Sequence, residues 1–527
     1  MKKIGFLTKL TIFLVLLNLV SCNESILDLS NPQTFTSENF FKTPGEISQS
    51  TNAIYVSFFH HSIGGYQWQE IWDVLGNESE PTASAYGSAL EVGIIQMMLY
   101  QHSNNNATLN GLWKVWYKMI LRANLTIAKS DEYIAANGEN DLVTRSKGEA
   151  YFLRGFAYFN LANCWGKVPV RTSFDQSANV DAPLAKSVDD VWAVAISDFK
   201  MAETLLKYAS DYPESEKGRA TKGAAIAFLG KTYLYTKKYD LAETEFAKLD
   251  GKYSLLPASQ FLWNFGQTNE NNAESVFEFQ SAVNGTSNIW SMFGDPEGQS
   301  SPGMNNAIPV LYAWNGSQGW GNWKFPPMHD TKFVYQDEAG ANFIDPRGAA
   351  TFYGGIAGAQ TWCSQCGESP NRPFDTATTG FWYKKKTNRE TLGTDNWGPE
   401  AGNNIRIMRY ADVLLMRAEC NIMLNNVPKA ISFINTVRSR FGIFNYTASK
   451  YNATSALELL KKERFLEFTG EGSRFDDLRR WGILEKTLNP ELKVLYNVEP
   501  VMAKHYHFPI PQGEIDSNQS IDNGEVY

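Results

Sequence analysis

The sequence predicts a mainly α-helical protein in which stacked helix pairs carry a loop-rich, aromatic-rich irregular subdomain. Three observations predict this fold class. Apolar residues recur at helical spacing in several blocks before residue 254 and again after residue 404. Two segments share a spacing of small residues that is typical of closely packed helix pairs. From 255 to 404 the helical periodicity is lost, and Gly, Pro, Asn and Trp accumulate.

Residues 1–21 have the pattern of a secretory signal peptide. Three lysines precede the apolar run 12–17, which is too short to remain in a bilayer as a spanning helix. The segment ends in Leu19-Val20-Ser21-Cys22, which resembles the lipobox of bacterial lipoproteins. This resemblance implies that Cys22 becomes the first mature residue and carries lipid. The alternative is an ordinary signal peptide with a chance cysteine.

Behind this anchor, we expect residues 22–45 to form an extended lead and residues 46–254 to form a helical region. The lead is polar and contains Asn31-Pro32 and Thr43-Pro44-Gly45. In the helical region, Gly166 follows a helical pattern as a C-terminal signal. Ser187 and Asp190 have the spacing of a capping box, which predicts a helix from 188 to about Tyr208.

The repeat signal is clearest in residues 217–254. Five residues there stand at the relative positions of a tetratricopeptide repeat: Leu229, Gly230, Tyr233, Ala242 and Phe246. Gly230 and Ala242 lie where two antiparallel helices approach closely, so a larger side chain would separate them. A degenerate second copy places Ala418 and Ala430 at the same separation. The two copies predict a tetratricopeptide-like scaffold, an α-α superhelix.

Residues 255–404 are predicted to form a folded ligand-binding subdomain on this scaffold. Long irregular segments within a compact protein tend to be functional or disordered. Disorder is disfavoured because disordered segments are poor in aromatic residues. Residues 405–527 are predicted to complete the fold: a short β-like run at 405–410 leads into a helical pattern.

The composition and the charge pattern argue against several classes of function. A net charge of −8 at pH 7 disfavours nucleic acid and anionic lipid as partners. No phosphate loop or dinucleotide motif predicts a cofactor. Acids and arginines alternate from 463 to 480, and the arginines would keep the carboxylates ionised and unsuited to act as acids. We therefore predict a salt-bridged helix end there, no catalytic residues and no enzyme, although a glycoside hydrolase with two facing carboxylates is the alternative.

The cysteines do not supply a complete set of zinc ligands. Cys363 and Cys366 have metal-ligand spacing, but zinc would need two more ligands and no second pair is present. A local disulfide, free thiols and a metal remain open for this pair. Cys164 and Cys420 lie in apolar helical patterns and are predicted to be core residues. Calcium is undecided, because loop acids such as Asp295, Glu297 and Asp345 could bind it without an EF-hand.

Five segments resemble segments of a known family and occur in the same order along the chain. Residues 406–419 and 463–482 look like the two hallmark runs of the SusD/RagB family of Bacteroidetes outer-membrane lipoproteins, and 508–516 looks like a third. Residues 151–159 and 165–169 resemble its N-terminal half. The similarity covers essentially the whole mature chain.

The resemblance implies a function for each region. It implies a tetratricopeptide-like scaffold, a non-catalytic site for oligosaccharides, and a lipid-anchored location at the cell surface on the outer membrane. It also implies a SusC-like TonB-dependent transporter as partner, without nucleic acid. A peptide-binding RagB-like member that serves a peptide importer is the alternative, and the sequence does not name the glycan.

The candidate ligand contacts are aromatic, because aromatic rings stack on the apolar faces of sugars. The residues expected to contact ligand are Tyr86, Trp290, Trp314, Trp320, Trp323 and Trp362. Tyr86 comes from the polar loop 76–88, and the tryptophans come from the irregular subdomain. The tryptophans in helical or motif contexts are expected to be core residues: Trp113, Trp116, Trp192, Trp263 and Trp481.

Overall fold

Helices form most of the protein, which is described here by a computed structural model. The structure describes residues 40–59, 67–89, 91–175, 180–282, 306–314, 319–361, 373, 380–388 and 401–521. The N-terminal helices are α1 (Pro44–Val56), α2 (Gln67–Leu75), α3 (Ala83–Gly87), α4 (Val92–Met98), α5 (Ala107–Asn137), α6 (Asp141–Trp165), α7 (Val188–Leu205), α8 (Lys222–Tyr235) and α9 (Tyr239–Ala247). The later helices are α10 (Ile308–Tyr312), α11 (Arg347–Thr351), α12 (Tyr410–Met423), α13 (Val427–Ser439), α14 (Ala453–Phe468), α15 (Arg474–Arg480), α16 (Leu484–Tyr496) and α17 (Gln512–Ser517).

The strands are short and pair antiparallel in twos. They are β1 (Glu80–Pro81), β2 (Ser275–Phe279), β3 (Trp323–Lys324), β4 (Val334–Gln336), β5 (Asn342–Ile344), β6 (Phe352–Tyr353), β7 (Trp382–Tyr383) and β8 (Ile405–Arg409). The pairs are β1 with β3, β2 with β8, β4 with β5, and β6 with β7. The predicted β-like run at 405–410 is thus a strand, and it continues directly into α12.

Local capping signals fix several helix ends as the sequence predicts. The Ser187 hydroxyl accepts from the Asp190 N–H, and the Asp190 carboxylate accepts from the Ser187 N–H, so the capping box is confirmed. That helix ends at Leu205, three residues before the predicted end. Gly166 caps α6 with φ 75°, which a residue with a side chain rarely adopts.

The predicted close approach of the first repeat is confirmed. A Cβ atom placed on Gly230 of α8 would lie 2.6 Å from the Phe246 ring of α9, so no side chain fits there. Ala242 is fully buried beside it. In the second copy, Ala418 of α12 and Ala430 of α13 are also fully buried. The two helix pairs pack side by side through α9 and α12, which gives the predicted helical-repeat scaffold.

A buried ion network connects the irregular subdomain to the scaffold. Its carboxylates on α14 are Glu463 and Glu467, both fully buried. Glu463 pairs with Arg438 of α13 and lies 2.8 Å from the Arg347 guanidinium of α11. Glu467 pairs with Arg440 and lies 3.1 Å from Arg409 of β8. Three elements that are distant in sequence are therefore held on one helix.

The predicted salt bridges of 463–480 are present, but most of them are not local. Asp476 with Arg479 and Asp477 with Arg480 pair at three-residue spacing. In contrast, Arg464 reaches Asp412 as well as Asp477, and Arg474 pairs with Glu491. Burial opposes ionisation of Glu467, but Arg440, Arg409 and Arg347 outweigh it and lower its pKa to about 2. The Glu467 carboxylate is thus held ionised, as expected.

Two boundary and burial predictions need correction. The lead ends earlier than residue 45, because Thr43 caps a helix that begins at Pro44, where proline is favoured. Trp263 is 41% exposed and is not a core residue, whereas Trp113, Trp116 and Trp192 are buried. Trp481 is half-buried.

Two cysteine predictions are confirmed, and the others cannot be compared with the structure. Cys164 and Cys420 are buried free thiols. Cys22, Cys363 and Cys366 lie outside the described residues. In the described ranges, every helix is either too short or too polar to cross a bilayer.

We expect Gly230→Ala to destabilise the protein by about 1–3 kcal/mol, because the added methyl group overlaps the Phe246 ring and separates α8 from α9. Urea unfolding followed by circular dichroism measures the change. Gly513→Ala in α17 is the matched control, since its Cβ would meet no atom within 4 Å. The control should be neutral or gain up to about 1 kcal/mol from helix propensity. Equal effects of the two substitutions would contradict the close approach.

We expect Glu463→Ala to lower the free energy of unfolding by about 3–5 kcal/mol, because it leaves Arg347 and Arg438 buried without a shared carboxylate. Glu458→Ala on the same helix is the control; that side chain is 67% exposed beside Lys461 and should contribute about 0–1 kcal/mol. Thermal unfolding of both variants measures the difference. A loss below about 1 kcal/mol for Glu463→Ala would show that the network is dispensable.

Candidate functional site

Tyr86 and Trp320 lie on two segments that are hydrogen-bonded to each other. Thr82 caps α3, the short helix that carries Tyr86, by accepting from the Ser84 N–H at 3.1 Å. The same threonine donates its hydroxyl to the Gly321 carbonyl at 2.5 Å and its N–H to the Asn322 carbonyl at 2.9 Å. The helix of Tyr86 is therefore attached to the two residues that follow Trp320.

Trp314 and Trp320 lie at the two ends of one loop after α10. The Gly319 N–H donates to the Trp314 carbonyl at 3.3 Å, and the Trp320 N–H donates to the Val310 carbonyl at 2.7 Å. A Cβ on Gly319 would lie 2.1 Å from the Ala313 carbonyl oxygen, so only glycine permits this closure. The Trp314 ring packs against a small cluster that contains Tyr353 and Trp382.

We name Tyr86, Trp314 and Trp320 the aromatic edge. The Tyr86 side chain is 55% exposed, and Trp314 and Trp320 are half-buried. Half-buried rings keep one part fixed by packing while another part stays accessible. Such rings can stack on the apolar faces of a sugar, and neighbouring polar groups can bind its hydroxyls.

Trp323, another predicted contact, does not join the aromatic edge. Trp323 is fully buried in β3, and its indole N–H donates to Glu70 Oε1 at 2.7 Å. Its ring is not accessible in this structure, because β3 places alternate side chains inward and Trp323 is the inward one. Trp290 and Trp362 lie outside the described residues and remain sequence predictions.

A group of buried carboxyls lies beneath the aromatic edge, and the sequence analysis did not identify it. We name it the acid cluster: Glu70, Asp73, Glu78 and Glu91, each at most 1% exposed. Asp73 pairs with Lys386 at 2.5 Å and accepts from the Tyr312 hydroxyl at 2.7 Å. Burial and then the charge of Asp73 raise the pKa of Glu78 to about 8, and burial raises that of Glu91 to about 7.

The apolar pattern of α2 was the one signal that could have revealed this cluster. Glu70, Ile71, Asp73 and Val74 do not all lie on one face of α2, yet all four are buried. A helix that is buried on several sides buries its acids as well. The burial of these acids can be predicted from the sequence only if the packing partners of α2 are known.

The described ranges hold no cluster of three His, Cys, Asp or Glu side chains arranged for a metal ion. Asp345, one of the acids considered for calcium, is fully buried and pairs with Arg347 at 2.7 Å. Asp295 and Glu297 lie outside the described residues. The chemistry that the described aromatic edge offers is therefore ring stacking and hydrogen bonding.

The chain is similar to known proteins over nearly its full length. A family model described as "SusD family" matches residues 273–527, and one described as "Starch-binding associating with outer membrane" matches residues 34–234. SusD-like protein P25 of Formosa agariphila is 24% identical, and the match covers 94% of each chain.

Solved structures show the same fold. A SusD superfamily protein from Bacteroides vulgatus is 27% identical, with a TM-score of 0.74 over 93% of this chain and 100% of that chain. Surface glycan-binding protein A from Bacteroides thetaiotaomicron, in complex with laminarihexaose, is 20% identical, with a TM-score of 0.68 over 90% of this chain and 98% of that one. With both of its halves matched by SusD models and its helical-repeat scaffold matched by SusD structures, the chain belongs to the SusD/RagB family.

Proposed function

We propose that this protein is a non-catalytic, lipid-anchored surface protein that binds an oligosaccharide and delivers it to a SusC-like TonB-dependent transporter. The observation that carries the proposal is the aromatic edge, which gathers an exposed tyrosine and two half-buried tryptophans on hydrogen-bonded segments. The family descriptions and the laminarihexaose complex of a relative support a glycan as the ligand.

The chemistry of the site favours capture without catalysis. Acid–base hydrolysis of a glycosidic bond needs two carboxyls that face each other across an open cleft. The carboxyls of the acid cluster are buried at 0–1% exposure and cannot reach a bound sugar. The carboxyls of α14 are neutralised by arginines. Stacking by Tyr86, Trp314 and Trp320 then supplies the binding energy, with Trp290 and Trp362 as further proposed contacts.

The anchor and the transporter complete the proposal. Lipid on Cys22 would place the scaffold at the outer membrane, and the lead would keep it beside the transporter. A lead of about 20 residues can extend over several nanometres, so the body could move over a membrane-embedded partner without leaving it.

We expect Tyr86→Ala and Trp320→Ala each to lower glycan affinity by about tenfold, because each removes a stacking ring worth about 1 kcal/mol or more. A glycan array that includes laminarihexaose identifies the ligand, and calorimetric titration then compares the variants. Trp263→Ala is the matched control, since Trp263 is also exposed but lies on a different surface segment. If the control loses as much affinity as the two variants, the aromatic edge is not the site.

The same experiments test the class of function. Measurable hydrolysis of a bound glycan by the purified protein would contradict the non-catalytic role. Binding to a peptide library without binding to any glycan would replace the proposal with the peptide-importing alternative.

We expect Cys22→Ala to release the protein from the outer membrane, because a mature chain without lipid has no acyl chain to bury. Fractionation of cells and extraction with detergent measure the change, and radiolabelled palmitate should label only the unchanged chain. Ser21→Ala is the control that keeps a small residue before the cysteine. A variant that still fractionates with the membrane as an integral protein would overturn the lipid anchor.

A further inference from the structure

The acid cluster has more carboxyls than cations to neutralise them. Among the described residues, one ion pair reaches the cluster, from Lys386 to Asp73. The nearby Arg474 is already paired with Glu491, and Lys385 is paired with Glu471. Three buried carboxyls are therefore left without an ion pair, and a buried carboxylate without a cation is expensive.

Glu70 and Glu91 are hydrogen-bonded in the same way. Trp323 Nε1 donates to Glu70 Oε1 at 2.7 Å, and Asn322 Nδ2 donates to Glu91 Oε1 at 3.0 Å. The other oxygen of each carboxyl, Oε2, has no hydrogen-bond partner among the described residues. A proton on one of these oxygens would turn it into a donor, whereas two ionised carboxylates would repel each other in a site of low polarity.

The two donors belong to the segment that positions the aromatic edge. Asn322 accepts from the Thr82 N–H through its carbonyl and donates its own N–H to the Leu311 carbonyl at 2.8 Å. Trp323 pairs with Pro81 in the two-residue ladder between β1 and β3. Both side chains bond to buried carboxyls. Trp320 precedes them in the same segment, and Tyr86 lies on the segment that Thr82 bonds to it.

We propose that Glu70 and Glu91 are positioning residues for the aromatic edge, and that they hold it in register only while the pair retains a proton. This inference rests on the proposed function for its effect on ligand binding, but its effect on the protein itself does not. Ligand binding should then be tighter in acidic than in alkaline medium.

Opposing groups face the pair, and burial decides the balance. The charges of Glu91 and Asp73 favour protonation of Glu70, whereas Lys386 and the hydrogen bond from Trp323 favour its ionised form. Burial favours protonation of Glu91 and outweighs the hydrogen bond from Asn322. Burial and then the charge of Glu91 raise the pKa of Glu70 well above its ordinary value. Because the folded state binds the extra proton, the stability that protonated Glu91 contributes is complete below about pH 4.5 and is lost as pH rises through about 7.

Hydrogen exchange of the unliganded protein tests the inference directly. We expect the protection factors of amides in 80–88 and 319–324, corrected for intrinsic rates, to fall by about tenfold between about pH 5.5 and about pH 8.5. Amides of α6 serve as the internal reference and should not change. Glu91→Gln should abolish the fall, because an amide keeps the acceptor for Asn322 and adds a donor that does not titrate.

Three further variants make the result specific. Glu70→Gln should also reduce the pH dependence, whereas Glu91→Ala should lower protection at both pH values because Asn322 loses its acceptor. Glu132→Gln on α5, at an exposed carboxylate paired with Lys129, should behave as the unchanged protein. Protection that is independent of pH in the unchanged protein, or a Glu91→Gln variant that keeps the full dependence, would overturn the inference.

Titration with laminarihexaose separates this inference from the proposed function. The sugar has no group that titrates in this range, so a tenfold loss of affinity from about pH 5.5 to about pH 8.5 that is absent in Glu91→Gln would support both. If laminarihexaose binds at neither pH, that ligand is wrong, and the exchange experiment alone decides the role of the pair. If the sugar binds equally at both pH values, the positioning role in recognition is rejected.

Discussion

The fold depends on the neutralisation of charge around α14. Within the described residues, four buried carboxylates (Asp345, Glu274, Glu463 and Glu467) and the partly buried Glu471 are matched by five cations (Arg347, Arg409, Arg438, Arg440 and Lys385). Each ion would pay several kcal/mol to leave water on its own, so the balanced set is stable only when all of its segments are in place. This requirement brings a subdomain helix, a strand and two scaffold helices together.

The acid cluster beneath the aromatic edge obeys the same physics with a different result. In the balanced network the arginines outweigh burial and hold the Glu467 pKa at about 2, whereas burial beneath the edge raises the Glu91 pKa to about 7. Glu467 therefore stays ionised at every physiological pH, as part of a frame of balanced ion pairs. Glu91 changes its charge within that range. The protein thus combines a network of constant charge with a surface that is bonded to carboxyls of variable charge.

Local signals in the sequence predicted the scaffold well. Three of its features depend on residues within about 20 positions of each other: the contact of Gly230 with Phe246, the Ser187 capping box and the strand before α12. Periodicity and capping signals can predict contacts over such short sequence separations. The network could not be predicted, because Arg347 and Glu463 are 116 residues apart and no local pattern links them. The same limit applies to the tryptophans: Trp263 and Trp323 were assigned opposite environments to those that packing gives them, since residue type alone does not decide burial.

The aromatic edge shows why long-range contacts matter most at the proposed binding surface. Two-residue strands such as β1 and β3 are too short to be stable alone, and α3 has five residues, too few for a helix to form without support. The geometry of Tyr86 and Trp320 must therefore come from bonds to the interior. Those bonds end on Glu70 and Glu91, two buried carboxyls that have no ion pair among the described residues. The proposed binding surface is therefore held by buried carboxyls whose pKa values are raised, which would link the proposed recognition to pH.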